Sequence, residues 1–203
     1  MRKYAAALVL IISLFMCCSG NRGTIEDANR AYNVADYQNA YRIYKLLAER
    51  GDAHAQFKLG MMYESAKGVQ QDYAEALKWY RKAADQGYAD AQFNLGFMYS
   101  SKGKGVPQDY AEALKWYRKA ADQGDVDALG ILGHMYLNGL GVPRDYVLAH
   151  MWSDLAASRF PVSGQGMRPV AEANRDIAAS NMTPTRIAEA QRLAREWKPK
   201  MGR

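Results

Sequence analysis

The chain is poor in the residues from which metal centres, disulfide frameworks and nucleophilic active sites are built. Only two of its 203 residues are cysteine, the adjacent Cys17 and Cys18, both at the end of an apolar N-terminal stretch. That placement leaves no intramolecular disulfide and no cysteine metal cluster in a processed chain, so stability has to come from packing. Histidine occurs only at 54, 134 and 150, with no HExxH or other paired-ligand spacing, so no metal site is predicted. G-x-S-x-G, the Walker phosphate loop and the G-x-G-x-x-G dinucleotide signature are all missing. Gly103-Lys104-Gly105 belongs to a repeated loop and lacks the strand that a phosphate loop follows. The carboxylate pairs Asp72/Glu75 and Asp109/Glu112 have the spacing of helix caps rather than of acid–base dyads. No catalytic residue and no cofactor is therefore expected.

Long apolar runs are missing as well. Ala5 to Met16 is apolar but for Ser13, which falls short of the roughly 20 residues a membrane-spanning helix needs. With Arg2 and Lys3 before it, residues 1–20 read as an export signal. Two processing routes fit. In one, Cys17 becomes a lipidated first residue, with Leu14 three positions before it. In the other, cleavage follows Gly20, with Cys18 and Gly20 as the small residues. Both predict export, to the periplasm as a soluble protein or to the envelope on a lipid anchor.

Charge of one sign is not concentrated. The net charge is +6, and residues 159–203 hold nine Lys/Arg against four Asp/Glu. These cations are spread along a helical pattern rather than in a block, so no nucleic-acid partner is expected. The 49% hydrophobic content suits a packed core and excludes a mainly disordered chain.

What is present in excess is repetition. Gln71–Gly87, QDYAEALKWYRKAADQG, recurs unchanged at Gln108–Gly124. Leu59-Gly60 returns at 95–96 and 132–133, Tyr63 at 99 and 136, Gly68-Val69 at 105–106 and 141–142, and Trp79 at 116 and 152. A period of 36–37 residues is that of helical solenoids. One copy carries an extra residue within 100–104, which predicts an exposed loop there. Residues 21–52 form a worn first copy, residues 53–160 three full copies, and residues 161–203 helices and a tail that cap the stack.

Each copy predicts two helices. The second opens on Asp72, Asp109 or Asp145 as N-cap, and Glu75 or Glu112 completes a capping-box pattern. Gly87 or Gly124 stops it. Tyr73, Ala76, Leu77, Tyr80, Ala83 and Ala84 make its buried stripe. Gly60 is small so that a neighbouring helix can approach. The third copy has Leu148 for the Glu, Ser153 for the Tyr and Phe160 for the Gly, a repeat turning into a cap. Residues 161–169 read as a loop and Val170–Ser180 as a helix. A last helix opens at Thr183-Pro184, with Ile187, Ala188, Ala190, Leu193, Ala194 and Trp197 on its apolar face.

The pattern A-x-A-x-x-x-L-G-x-x-Y, then G-V, then D-Y-x-x-A-x-x-W-Y-x-K-A-A-x-x-G, is complete over Ala53–Gly87. It resembles the Sel1-like repeat, a relative of the tetratricopeptide repeat. The resemblance implies an all-α, right-handed solenoid of antiparallel helix pairs. It also implies an adaptor or scaffold that binds a protein or peptide, here as a monomer. Cysteine-rich relatives carry a β-lactamase label, but their disulfide pattern is absent. An envelope hydrolase acting on peptidoglycan or a β-lactam is the alternative.

Comparing the copies predicts a binding surface. Ala55, Leu59, Gly60, Met62 and Tyr63 keep their identity in every full copy, whereas positions 54/90/127, 58/94/131, 61/97/134 and 65/101/138 change. Steps of four, three and four place the changing positions on one helix face. In tetratricopeptide-like stacks the first helices line the concave side. Lys58, Met61, Asn94, Phe97, Ile131 and His134 are thus the expected partner contacts.

Overall fold

A computed structural model describes residues 23–160 and 167–200. Ten helices follow one another, and the described residues contain no strand. They are α1 (Ile25–Asn33), α2 (Tyr37–Glu49), α3 (Ala53–Ser65), α4 (Tyr73–Asp85) and α5 (Ala89–Ser100). Then come α6 (Tyr110–Asp122), α7 (Val126–Asn138), α8 (Tyr146–Arg159), α9 (Arg168–Ser180) and α10 (Pro184–Glu196). From α1 to α9 each helix packs on the next, so the chain is a stack of helix pairs. The leader, with Cys17, lies outside the described residues.

Local chemistry sets the boundaries. The side chains of Asp72 and Asp109 each accept from two backbone N–H groups of the helix they open. Glu75 and Glu112 do not complete a capping box, contrary to expectation. Each instead accepts from the indole N–H one turn on, Trp79 or Trp116, at 3.0 Å, and pairs with Lys78 or Lys115 at 2.9 Å. The box forms where it was not foreseen, between Thr24 and Asp27. Gly87 takes φ +88° just past α4, the left-handed turn that ends the helix.

The core follows the unchanging positions. Ala55, Leu59, Gly60 and Met62 are buried, as are their counterparts in α5 and α7. A Cβ on Gly60 would stand 2.7 Å from the Tyr80 ring, and one on Gly96 2.8 Å from Tyr117. These glycines let the second helix of a pair press an aromatic face onto the backbone of the first. The Gly-Val loop is fixed just as tightly: a Cβ on Gly105, at φ +75°, would lie 2.5 Å from Tyr73 Cβ.

Two further ties hold neighbouring pairs together. Buried Gln56 donates to the Ala48 carbonyl at 3.0 Å, and buried Gln92 to the Ala84 carbonyl at 3.1 Å. Each of their side-chain oxygens accepts from the next glutamine, Gln86 or Gln123, at 2.8 Å. On the second helices, cations lie over the buried indoles. Lys82 sits over Trp79 at 4.1 Å and Lys119 over Trp116 at 3.9 Å. Arg81 reaches forward to Trp116 at 5.5 Å, and Arg118 to Trp152 at 4.5 Å. The third copy has Asp154 at that position, and it pairs with Arg175 of α9 at 3.5 Å.

The C-terminal end differs from expectation in two respects, the start of α9 and the exposure of Ala188. Helix α9 begins at Arg168, with Pro169 accepted in its first turn, so part of the predicted loop is helix. As expected of a cap, helices α9 and α10 both pack on α8, the last helix of the repeats. With α7 they cover α8, nine of whose residues, from Val147 to Ala157, are buried. On α10, Ala190 and Ala194 are buried and Trp197 meets Trp152 edge-on at 5.8 Å, while Ala188 is exposed.

Candidate partner-binding face

The first helices, α3, α5 and α7, place the changing positions at the boundary of core and solvent. Lys58, Met61, Asn94 and Ile131 are half-buried, and Phe97 and His134 are exposed. Phe97 keeps 42% of its surface accessible, although its neighbours Leu95 and Met98 are fully buried. The face is supported from below. The Tyr80 hydroxyl donates to Glu64 at 2.8 Å, and Asn94 stands beside that hydroxyl. Burial and the Glu64 charge push the Tyr80 pKa far up, so the phenol stays protonated. The second oxygen of Glu64 is neutralised by Lys104 at 3.1 Å.

Lys104 was not foreseen. It comes from the loop with the inserted residue, which was expected to be merely exposed. Lys102 and Gly103 are exposed, but Lys104 folds back half-buried, 5.5 Å over the Phe97 ring and 5.1 Å over Tyr73. Lys67, the equivalent residue one repeat earlier, repeats the device over Tyr37 at 5.4 Å and donates to the Tyr32 hydroxyl at 2.9 Å. The signal was available in sequence as a lysine before each of these two loop glycines. Its partners lie 35 and 40 residues away, beyond any local pattern. Lys58 also leans toward Tyr32, at 5.9 Å.

The histidines do not converge. His54 accepts or donates at Nδ1 with the Tyr88 hydroxyl at 3.1 Å, and burial, helped by the Lys58 charge, lowers its pKa. His150 is buried in α8, where desolvation likewise lowers its pKa. His134 is at the surface, bonded to Asn138 at 3.2 Å. Among the described residues no group of three His, Cys, Asp or Glu is placed to hold a metal ion, and no helix is long and apolar enough to cross a membrane.

A family model described as the Sel1 repeat matches residues 34–52, 53–88, 89–125 and 126–159. The chain belongs to the Sel1 repeat family. Among solved structures, this Sel1 repeat chain is similar to a protective antigen present in uropathogenic Escherichia coli strains that displays an SLR fold. The two are 35% identical with a TM-score of 0.68, over 84% of this chain and 37% of the antigen. It is also similar to a Sel1 repeat protein from Oxalobacter formigenes, 30% identical with a TM-score of 0.66, over 83% of this chain and 66% of that one. The chain thus spans less than two thirds of either relative. No curated protein matches it. Sel1 repeat proteins are in general protein-interaction modules and typically non-catalytic scaffolds.

Proposed function

We propose that this Sel1 repeat chain is a non-catalytic scaffold of the bacterial cell envelope that grips a peptide or partner protein along its first-helix face. The observation that carries this reading is the division between positions. Side chains common to the repeats are mostly buried, while those that differ lie half-buried to exposed along one row, with exposed Phe97 as an apolar anchor beside Asn94 and Lys104. Solenoids present such rows to extended ligands. Export follows from the charged and apolar leader, either as a soluble periplasmic monomer or anchored through Cys17. No specific observation favours the hydrolase alternative.

The experiment is capture of partners from an envelope extract by the purified chain and by its Phe97→Ala/Asn94→Ala variant. Partners retained by the first should be lost, tenfold or more, by the second. Equal capture by both would refute the face as the binding surface.

A further inference from the structure

The loop lysine on the first-helix face is repeated, but its counter-charge is not. Lys104 meets a carboxylate of the chain itself, Glu64, which also accepts from the Tyr80 hydroxyl. One copy earlier, Lys67 takes the place of Lys104, and Tyr44 that of Tyr80. The Tyr44 hydroxyl donates to Asn29 at 2.6 Å, so a neutral amide plays the part of Glu64. Lys67 donates instead to the Tyr32 hydroxyl at 2.9 Å. One copy later, Leu140 replaces the lysine and Tyr117 bonds to Ser100, so neither charge is present.

A second cation joins Lys67. Lys58, the first of its set in the changing row, stands 5.9 Å from the centre of the Tyr32 ring, and Lys67 stands 4.9 Å from the same centre. Both lysines are half-buried. Neither takes part in any ion pair among the described residues. The counterparts of Lys58 are Asn94 and Ile131, so two cations meet only at this end of the row. Carboxylates at the changing positions, Asp90 and Asp127, belong to the later copies. Ammonium groups that share one ring and have lost part of their hydration repel each other, and an anion between them relieves both costs.

We propose that this end of the face takes an acidic stretch of the partner polypeptide, with a Glu or Asp carboxylate set between Lys58 and Lys67 beside Tyr32. The chain itself shows what the loop lysine accepts: at Lys104 the occupant is a glutamate carboxylate at 3.1 Å. The first copy has the same lysine and lacks the glutamate, so the partner supplies it. Apolar side chains of the same stretch then run toward Met61 and Phe97, the next members of the row. The inference rests on the first-helix face being the binding face, and it names the charge of the segment that face recognises.

The test uses the purified full chain and pooled fluorescent decapeptides, read by anisotropy. One pool has Glu-Glu at its centre and mixed Leu, Phe, Ser and Ala elsewhere; its twin has Gln-Gln. The Glu pool should bind at least tenfold more tightly, about 1.4 kcal/mol. Lys58→Met/Lys67→Met keeps the apolar stems and should erase that preference with an unchanged circular dichroism spectrum. Asn29→Glu, which gives the first copy a carboxylate of its own, should erase it without removing a cation. Lys45→Met, an exposed cation on α2 outside the row, should leave it intact. Equal binding of the pools, no binding of either, a preference that survives Lys58→Met/Lys67→Met, or an equal loss with Lys45→Met would overturn the proposal. So would lysine-dependent binding to phosphatidylglycerol vesicles without a preference between the pools, which would make the anion a lipid headgroup. If envelope partners are lost on Phe97→Ala/Asn94→Ala but not on Lys58→Met/Lys67→Met, the acidic stretch fails while the face stands. If Lys58→Met/Lys67→Met alone loses them, the face assignment fails instead.

Discussion

Glu112 is the sharpest place to perturb the repeat. Its side chain accepts from the buried Trp116 indole at 3.0 Å and from exposed Lys115 at 2.9 Å. The third copy has already made the change that tests it: Leu148 occupies the equivalent position, and the indole nitrogen of fully buried Trp152 has no acceptor among the described residues. Glu112→Leu should reproduce that state at Trp116. A buried donor left without an acceptor costs about 1–3 kcal/mol. The ion pair to Lys115 is screened by water and adds little. With a urea m-value of about 2 kcal/mol/M for a chain of this size, the midpoint should fall by about 0.5–1.5 M. Urea titration followed by tryptophan fluorescence and by circular dichroism measures it. Glu112→Gln keeps an acceptor and should lose much less, and Lys115→Met should leave the midpoint nearly unchanged. The bond to Lys115, and then that to Trp116, lower the Glu112 pKa against the opposing effect of burial. Its contribution is therefore complete above the unfolded carboxyl value and lost as pH falls through the lower folded one. Glu112→Leu should lack that acid-side loss. An unchanged midpoint for Glu112→Leu, or an equal loss for Lys115→Met, would refute the assignment of the energy to the indole bond.

Two other outcomes follow from the geometry. Gly105→Ala places a Cβ against Tyr73 at φ +75°, whereas Gly103→Ala meets open space at φ +76°. Gly103→Ala should cost about 1–2 kcal/mol for the left-handed backbone alone, and Gly105→Ala clearly more, by thermal or urea unfolding. His54 and His150 both have lowered pKa values through burial, so the unfolded chain takes up protons first. Stability should then fall as pH drops below about 6.5, and His54→Gln/His150→Gln should flatten that fall in urea titrations at pH 7.5 and 5.5.

How much of this was legible in sequence varied with the range of the interaction. The helix pairs, their Asp caps and the buried Ala, Leu and Met positions follow from a repeat that displays its own constants. Glu75 was misassigned because a glutamate three residues after an Asp N-cap and one turn before a tryptophan suits two acceptor roles. Only geometry shows that it turns toward the indole. Gln56 and Gln92 are constant in two copies and buried. Their role is visible only once the carbonyl ends of the preceding helices are beside them. Of the candidate contacts, the row from Lys58 to His134 was readable from substitution between copies. Lys104 was not, since it arrives on the face from a loop 40 residues from its Glu64 partner.

The forward reach of Arg81 and Arg118 onto the following indole gives two successive junctions of the stack the same socket and plug. Because residues 71–87 and 108–124 are identical, excision or duplication of the 37 residues between them would leave a second helix of unchanged sequence at the joint and keep its forward-reaching arginine. Asp154, paired with Arg175 of α9, is the odd plug at which the repeat gives way to the capping helices. The length of the array, and with it the reach of its exposed row, is a quantity that recombination can adjust in whole steps while the terminus stays closed.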